Sequence, residues 1–415
     1  MKYLTIVLLC LTVQAGWSQT ESEWRGIGRT GIYNETGLLK NWPADGPEKI
    51  WSAGDIGTGY SSPSFGAQYI YVTGRKDSMD YLTALDFTGK QVWQVSFGHA
   101  WNDSYEDTRT TPTLNDGKVY MISGMGEVAC HDGKTGEKIW YRNAYREFSG
   151  QCNLYGVAES PLIVDNKVFY TPGGNETSMI ALDKNTGDLI WKSRSLGDSA
   201  AYVSPLYIKH NNQGMIINLM GHLLFGIDPA SGKILWEFNY LGLKGPVENP
   251  FLKVTNCNTP IYHNGEIFIA KGYNHPSAMF RLNETGNGIS LKWTNDLLDT
   301  HFGGDVLIDG YLYGSTWLSN SNGNWACIDW DTGANQWEAS MNSKGSIISA
   351  GGMLYCYDEK KGQMALVHPD PKKFDIVSSF RIQDGSGPHW AHPVIRDGIL
   401  YVRHGDRLMA YRLRK

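Results

Sequence analysis

The chain has 415 residues and a formal net charge of −5, and 19% of its residues are charged. The lysines and arginines are scattered and form no basic tract, which argues against nucleic acid as a partner. The 48 glycines, 15 tryptophans and 23 tyrosines favour many short strands joined by tight turns.

The first eighteen residues have the pattern of a secretory signal peptide. Lys2 supplies the positive start, residues 3–13 form an apolar run, and small residues suit cleavage near Ser18. We therefore expect residues 1–18 to be a signal peptide and the mature protein to be periplasmic or secreted. Cys10 keeps lipidation as an alternative, although no small residues precede it. No other stretch reaches the roughly 18 apolar residues of a membrane helix, so we expect no membrane span.

One phrase, Asp-x-x-Thr/Ser-Gly-x-x-x-Trp, recurs along the rest of the chain. Its glycine suits a left-handed turn, its Asp and Thr side chains can bond the backbone of that turn, and its tryptophan can wedge between adjacent sheets. Four full copies occupy residues 132–140, 183–191, 228–236 and 329–337. A shortened copy occupies residues 86–93, and a stretched copy occupies residues 283–293.

Two strand-like runs precede each copy of the phrase. A small residue followed by proline opens most units, and a turn such as residues 115–117 (Asn-Asp-Gly) joins the first run to the second. The run with the aspartate and the run ending at the tryptophan complete four antiparallel strands. The units end at residues 93, 140, 191, 236, 293, 337 and 380, with Phe380 near the tryptophan position of the seventh. This spacing is typical of the blades of a β-propeller.

The last unit, residues 392–413, supplies only three strands before the chain ends. Residues 48–51 resemble the outer strand of the other units, and closure of the last blade by this N-terminal strand would remove open sheet edges. We therefore predict an all-β fold, an eight-bladed β-propeller with four-stranded antiparallel blades. The predicted parts are a signal peptide (1–18), an N-terminal leader (19–47) and the propeller (48–415).

The segment Ala-Leu-Asp-Lys-Asn-Thr-Gly-Asp-Leu-Ile-Trp, ending at Trp191, resembles the tryptophan-docking repeats of the pyrroloquinoline-quinone (PQQ)-like, or quinoprotein-like, β-propeller family. The resemblance runs from Ile50 to the C-terminus. Residues 24–31 look like the segment that precedes the propeller in the exported bacterial branch of this family.

The resemblance implies one of two functions. Quinoprotein alcohol dehydrogenases hold PQQ and calcium in the channel, and an adjacent cysteine pair lies on the quinone. The propeller lipoprotein of the outer-membrane assembly machinery is a protein-binding scaffold without a cofactor. This chain has no adjacent cysteine pair, and the dehydrogenases' calcium ligands and catalytic aspartate match no positions in it.

The loops that enter the innermost strands of a propeller converge on one mouth of the central channel. Ten residues of these loops are the candidates for ligand binding: Tyr60, Arg109, Glu159, Tyr202, Asn258, His301, Lys344, His389, Trp390 and His392. We expect Arg109 and Lys344 to bind negative charge and the aromatic side chains to stack on a ring. The alternative is that these groups bond only one another and fill the channel.

Four of these residues are also candidates for catalysis: His301, Glu159, Lys344 and Tyr202. His301, with Glu159 across the channel, could pass protons. Residues 97–109 form a long connection that could act as a lid. No metal site is predicted. The cysteines beyond Cys10 are too widely spaced for a disulfide framework or a zinc site, so we expect free thiols at Cys130, Cys152, Cys257, Cys327 and Cys356.

The sequence thus predicts an exported binding platform with a site for a sugar-like or anionic polar ligand at one mouth of the channel. The first alternative is a PQQ-dependent alcohol or sugar dehydrogenase, and PQQ and calcium are expected only for that function. The second alternative is a carbohydrate-active enzyme that uses histidine, tyrosine or lysine as acid and base. We expect a monomer whose partners are a small polar or carbohydrate ligand and an envelope protein.

Overall fold

The architecture is an all-β propeller, seen in a computed structural model that describes residues 22–243 and 255–414. The predicted signal peptide and Cys10 lie outside these residues. The cysteines predicted to be free thiols form no disulfides. In the part of the chain that is described, no helix is long and apolar enough to cross a membrane.

The first half of the chain contains strands β1 to β20. In chain order these are β1 (Ile32–Tyr33), β2 (Lys49–Ala53), β3 (Ser64–Phe65), β4 (Ile70–Lys76), β5 (Met79–Leu85), β6 (Gln91–His99), β7 (Thr113–Asn115), β8 (Lys118–Ile122), β9 (Val128–Asp132), β10 (Lys138–Arg142), β11 (Leu162–Val164), β12 (Lys167–Tyr170), β13 (Gly173–Gly174), β14 (Ile180–Asp183), β15 (Leu189–Lys192), β16 (Asp198–Ser199), β17 (Leu206–His210), β18 (Gln213–Leu219), β19 (Leu223–Ile227) and β20 (Ile234–Asn239). A short helix, α1 (Ala144–Glu147), and two 3-10 turns, Ile27–Arg29 and Tyr240–Leu243, accompany them.

The second half continues the same pattern of short strands. Its strands are β21 (Ile261–His263), β22 (Glu266–Ile269), β23 (Ser277–Leu282), β24 (Ile289–Asn295), β25 (Val306–Ile308), β26 (Tyr311–Ser315), β27 (Trp325–Asp329), β28 (Asn335–Ala339), β29 (Gly345–Ala350), β30 (Met353–Asp358), β31 (Gln363–His368), β32 (Asp375–Arg381), β33 (Val394–Arg396), β34 (Ile399–His404) and β35 (Arg407–Arg412).

These strands form eight antiparallel blades, which confirms the predicted fold. The blades are β3–β6 (blade 1), β7–β10 (blade 2), β11, β12, β14 and β15 (blade 3), β17–β20 (blade 4), β21–β24 (blade 5), β25–β28 (blade 6), β29–β32 (blade 7) and β33–β35 with β2 (blade 8). The first strand of each blade faces the channel. The leader strand β1 joins blade 7 by pairing in parallel with β29.

The N-terminal strand β2 closes blade 8, as the sequence predicts. Lys49 pairs with Tyr411, and Ala53 pairs with Leu408, in antiparallel register. One residue before β2, the carbonyl of Glu48 accepts the backbone N–H of Arg412 at 2.8 Å. The two ends of the propeller are thereby joined in one sheet, in which β2 is the outermost strand and covers the edge of β35.

The tryptophan of one blade docks on the turn of the next. The indole of Trp140 donates a hydrogen bond to the carbonyl of Lys184 at 2.9 Å. Its ring covers Gly187, where φ is +76° and an added Cβ would lie 2.7 Å from the indole. Asp183 fixes the turn by accepting from the backbone N–H of Asn185 at 2.8 Å. Four more pairs repeat the ring-on-glycine contact: Trp51 on Gly89, Trp93 on Gly136, Trp191 on Gly232 and Trp293 on Gly333.

Blade 7 lacks the phrase, and Phe380 lies two residues beyond the tryptophan position of its outer strand. In the other outer strands a β-bulge immediately precedes the tryptophan, as at Trp140 and Trp337. In β32 the residue after the bulge is Ser378, which pairs with Leu366. Without a tryptophan, the sequence carries no marker of the bulge, so the position of Phe380 could not be fixed from it.

The leader supplies the indole that blade 7 lacks. The backbone N–H of Trp42 donates to the Ser378 hydroxyl at 3.0 Å. Its ring lies 5.8 Å from that of Tyr355 at 46°. The docking pair Trp140 and Tyr120 has nearly the same geometry, 6.1 Å and 54°. Trp42 is 5% exposed, so the leader is part of the propeller's core at this blade.

The small residues that precede proline at the blade starts join neighbouring blades. The backbone N–H of Ser62 donates to the Thr111 hydroxyl at 3.0 Å. The N–H of Thr111 donates to the Ser160 hydroxyl, and the N–H of Ser160 to the Ser204 hydroxyl, both at 2.9 Å. We call these four residues the hydroxyl belt. It satisfies buried backbone donors across blades 1 to 4.

We expect Gly187→Ala to destabilise the protein by about 2–4 kcal/mol, because the methyl group adds overpacking against Trp140 to the cost of a positive φ. Gly117→Ala is the matched control, since φ there is +70° and nothing lies within 4 Å of an added Cβ. It should cost only about 1–2 kcal/mol. Denaturant unfolding of both variants measures the difference, and equal losses would show that the indole contact contributes nothing.

We expect Trp42→Ala to lower the free energy of unfolding by about 3–5 kcal/mol, the usual range for a large buried ring. The indole Nε1 of Trp42 has no hydrogen-bond partner among the described residues. Trp42→Phe, which keeps a ring against Tyr355, should therefore retain most of the stability. Urea unfolding followed by fluorescence tests both variants. A Trp42→Ala protein as stable as the parent would contradict the docking role.

Candidate functional site

A cavity of about 190 Å³ opens at the mouth of the channel where the innermost strands begin. Each predicted residue that reaches it belongs to a connection that enters an innermost strand. Six of the ten predicted ligand residues line the cavity: Tyr60, Arg109, Tyr202, His301, Trp390 and His392. The other four predicted residues do not line it.

Aromatic side chains form most of the cavity wall. Trp390 lies at the centre of the set, with its ring centroid 4.9 Å from Tyr60, 5.7 Å from Tyr105 and 5.9 Å from Phe302. The ring contacts continue from Tyr105 to Tyr155 at 5.3 Å. We call the whole set the aromatic collar: Tyr60, Tyr105, Tyr155, Tyr202, Tyr273, Phe302 and Trp390. Flat apolar faces on several sides suit a ring-shaped ligand.

Arg109 places a guanidinium in this aromatic wall. One of its nitrogens donates to the Tyr155 carbonyl at 2.6 Å, and another donates to the Tyr105 carbonyl. Among the described residues no carboxylate forms an ion pair with it. Burial lowers the pKa of Arg109, and Tyr202 and Tyr60 oppose that shift more than any carboxylate does. The remaining N–H groups of Arg109 are thus available for an anion.

His301 and Tyr273 form a hydrogen-bonded pair in the same cavity. The His301 Nε2 lies 2.7 Å from the Tyr273 hydroxyl. Burial, reinforced by the charge of Lys344, lowers the pKa of His301 to about 3, so the imidazole is neutral at neutral pH. Its Nδ1 has no hydrogen-bond partner among the described residues. The pair therefore offers hydrogen bonding without adding charge to the cavity.

His392 links the cavity to the leader. Its Nε2 donates to the carbonyl of Phe302 at 2.9 Å, so its Nδ1 accepts from the Arg25 guanidinium at 2.9 Å. Burial and the charge of Arg25 lower the pKa of His392 to about 3. The ring of Trp24 lies 5.1 Å from the imidazole, edge to face, and also lines the cavity.

Lys344 does not line the cavity, because its ammonium is engaged by three neighbouring groups. The Nζ donates to the carbonyls of Ser319 and Asn320 and forms an ion pair with Glu359. The other oxygen of Glu359 accepts from the indole of Trp390 at 3.1 Å. Lys344 thus holds Asn320 directly and Trp390 through Glu359, and its charge is not available to a ligand in the cavity.

Asn258 and His389 are likewise held in structural hydrogen bonds. The Asn258 amide donates to the carbonyl of Thr300 at 2.7 Å. The His389 Nδ1 lies 2.6 Å from the Tyr357 hydroxyl, and its ring stacks on His404 at a centroid distance of 3.7 Å. Both residues precede innermost strands, but their side chains turn towards neighbouring backbone and rings.

Glu159 is buried beside the channel and does not pair with His301. One carboxylate oxygen accepts from the backbone N–H of Thr171 at 3.2 Å, and the other has no partner among the described residues. Burial raises the pKa of Glu159 to about 8. Of the four candidates for catalysis, His301 and Tyr202 line the cavity, whereas Glu159 and Lys344 lie outside it.

Several cavity residues were not found by sequence analysis. Trp24 comes from the leader, and Tyr273 comes from the loop between β22 and β23, which is not a connection into an innermost strand. Tyr105 belongs to residues 97–109, which carried a signal because that connection is unusually long. The first part of this segment is strand, since β6 extends to His99.

The cavity residues do not fit PQQ with calcium. No carboxylate lines the cavity, so a calcium ion would lack its usual oxygen ligands there. Elsewhere in the described residues, no group of three or more His, Cys, Asp or Glu side chains is placed to hold a metal. The cavity has one lining cysteine, Cys257, and one lining guanidinium, Arg109, for a cofactor that carries three carboxylates.

The docked tryptophans, the eight blades and the cavity at one mouth define a PQQ-like β-propeller with a ligand-sized site. A family model described as outer membrane protein assembly factor BamB matches residues 78–318, more than half of the chain. The chain belongs to this family of PQQ-like propellers.

Curated relatives fall into two groups. BamB of Moranella endobia is 20% identical over 294 residues, which cover 68% of this chain and 70% of the relative. A quinoprotein ethanol dehydrogenase of Pseudomonas aeruginosa is 26% identical over 159 residues, which cover 35% of this chain and 24% of the relative. This chain thus spans about a quarter of the dehydrogenase.

Solved structures of both kinds share the fold. BamB from Moraxella catarrhalis superposes with a TM-score of 0.62 at 14% identity, over 88% of this chain and 99% of that one. The quinohemoprotein alcohol dehydrogenase from Comamonas testosteroni superposes with a TM-score of 0.67 at 14% identity, over 96% of this chain and 82% of that one. At this identity the likeness describes the fold alone.

We expect Glu159→Gln to reduce the pH dependence of stability. The folded-state pKa of Glu159 is raised to about 8. Its contribution is therefore fully present below the unfolded pKa near 4.5 and is lost as the pH rises through 8. Between pH 5 and 8, the parent should lose at least about 1.4 kcal/mol more than the variant, the equivalent of one pKa unit. Urea unfolding at both pH values tests this, and parallel losses would contradict the buried, protonated carboxyl.

Proposed function

We propose that the protein is an exported binding platform whose cavity holds a ring-shaped anionic ligand of the sugar-acid class. The observation that carries this proposal is Arg109, a guanidinium without an ion-pair partner among the described residues, set in the aromatic collar. A guanidinium in a largely desolvated site attracts a carboxylate more strongly than it would in water.

The collar supports a ring as the body of this ligand. Its flat faces can cover the apolar side of a sugar ring, while the Tyr273 hydroxyl and Asn320 offer hydrogen bonds to ring hydroxyls. A cavity of about 150 Å³ accommodates a benzene ring, and this cavity is slightly larger at about 190 Å³. One six-membered ring therefore suits its volume.

Electrostatics favour an anion over the cations that aromatic cages often bind. A cage of aromatic faces attracts a quaternary ammonium through the negative faces of its rings. Here Arg109 already supplies a positive charge inside the wall, and no lining residue is acidic. A cationic ligand would be repelled, whereas a carboxylate would gain a partner.

The family comparisons support a role in the bacterial envelope. Several relatives are named as outer membrane protein assembly factors, and they match this chain over about two thirds of its length. We propose by analogy that this chain works outside the cytoplasm and contacts an envelope protein.

We propose that this function needs no PQQ. The dehydrogenase alternative requires a calcium site and partners for a tricarboxylate, and the lining residues fit neither requirement. The acid–base alternative is not favoured either, because Lys344 is engaged outside the cavity and burial lowers the pKa of His301 to about 3, which makes its imidazole a weak base. Binding is therefore the function that the cavity supports best.

Galacturonate, a sugar ring with one carboxylate, is the probe that tests the proposal, with galactose as its neutral counterpart. We expect calorimetry to show binding of galacturonate and much weaker binding of galactose. Arg109→Gln should weaken galacturonate by about 10- to 100-fold, since a charge-assisted hydrogen bond contributes about 1.5–3 kcal/mol.

Arg194→Gln is the matched control. It removes the same charge from an exposed arginine that pairs with Glu237, and it should leave the affinity unchanged. Equal affinity of the parent for galacturonate and galactose, or an Arg109→Gln protein that binds galacturonate as the parent does, would overturn the proposed function.

A further inference from the structure

The leader crosses the central channel from side to side. On one side the carbonyl of Ser22 accepts the backbone N–H of Leu114 in blade 2 at 2.8 Å. Arg29 reaches blade 3, where it donates to the carbonyl of Pro161 at 2.8 Å. On the opposite side, Arg25 donates to the carbonyl of Asp305 in blade 6 at 2.7 Å.

Further contacts hold the leader on blades 7 and 8, next to blade 6. Arg25 donates to the carbonyl of Ile347 in blade 7 at 3.1 Å and to His392 of blade 8 at 2.9 Å. The carbonyl of Gly31 accepts the N–H of Ser349 at 2.8 Å. A segment bonded to blades on opposite sides of the axis spans the channel at this level.

The leader, where it spans the channel, gives the cavity a floor. Trp24, the residue before Arg25, belongs to the leader and lines the cavity. The guanidinium of Arg25 lies over the Trp24 ring, 5.8 Å from its centroid, and does not line the cavity. Its pKa is lowered to about 10 by burial, so it stays charged at neutral pH. The floor therefore carries an aromatic ring with a positive charge close to it, which adds to the attraction of Arg109 for an anion.

The opposite end of the cavity is open to solvent. Tyr105, part of the aromatic collar, is 56% exposed. Leu154, whose carbonyl accepts from the Ser104 hydroxyl at 3.0 Å, is 41% exposed beside it. A cavity that holds one sugar ring, with one closed end and an apolar rim, can admit the end of an oligosaccharide. It cannot let an oligosaccharide pass through.

We propose that the cavity recognises the terminal acidic sugar of an oligosaccharide, with that ring against Trp24 and the rest of the chain leaving past Tyr105. This inference rests on the proposed function, since it takes the sugar-acid ligand as given. The volume of about 190 Å³ limits the buried part to one ring. The exposed face of Tyr105 offers a stacking surface for the second ring.

A length series of oligogalacturonates, from one to eight rings, tests end recognition. Terminal recognition predicts that affinity per chain rises once, from one ring to two, and then stays constant, because each chain presents one such end. Reduction of the reducing end with borohydride identifies which end enters: loss of binding indicates the reducing end, and unchanged binding indicates the other. Both results agree with the inference.

Trp24→Ala tests the floor, with Trp24→Phe as the conservative variant. Loss of the ring should weaken every length by up to about tenfold, and Trp24→Phe should restore most of the affinity. Ile27→Ala is the matched leader control, because Ile27 is 79% exposed and does not line the cavity. The melting temperature of each variant is compared with that of the parent, so that a change in affinity is separated from a loss of stability.

Other outcomes separate the two proposals. Affinity per chain that grows with every added ring, or binding of long chains without the monomer and dimer, would overturn end recognition while leaving the acidic ligand in place. Trp24→Ala binding every length as the parent does would overturn the floor. An absence of binding for all lengths, including the monomer, would overturn the proposed function itself.

Discussion

The structure depends on how the buried polar groups around the central channel are satisfied. Eight innermost strands bring their first backbone N–H and C=O groups towards one axis, and unpaired buried groups of this kind are costly. Blades 1 to 4 solve the problem with the hydroxyl belt, for example where Ser160 bonds Ser204. Blades 6 to 8 use Arg25, whose guanidinium donates to the carbonyls of Asp305 and Ile347 and to His392. The leader is therefore an integral part of the propeller.

The conformation of the leader shows how strongly these bonds hold it. Arg25 and Arg29 have φ values of +61° and +56°, in a region that costs a non-glycine residue about 1–2 kcal/mol. Hydrogen bonds from a charged group contribute about 1.5–3 kcal/mol each, and each guanidinium forms several. The bonds outweigh the backbone strain, so the strained leader persists. Its path then places Trp24 in the cavity and Trp42 against blade 7, two aromatic roles that follow from one anchored segment.

Most of the fold could be predicted because each docking phrase contains residues that form the contact between neighbouring blades. A glycine such as Gly187 is required both by its positive φ and by the indole above it, so the phrase marks a blade wherever it occurs. Closure by β2 followed from a missing strand at the other end of the chain. That Trp42 takes the place of the missing tryptophan in blade 7 could not be predicted, because the leader has no repeat that relates it to a blade. Nor could the position of Ser378, whose bulge has no marker in the sequence.

The site was only partly predictable, and Arg109 and Lys344 show why. Both are cations in the connections before innermost strands, so position alone gives them the same role. Glu359, from a different loop of blade 7, pairs with Lys344 and turns it into a support for Trp390. No described carboxylate does this for Arg109, which leaves its charge for a ligand. The repeat determines where a side chain starts, whereas its chemistry depends on neighbours from loops outside the repeat. Propellers that share this fold at 14% identity can therefore differ in what their channel mouths bind.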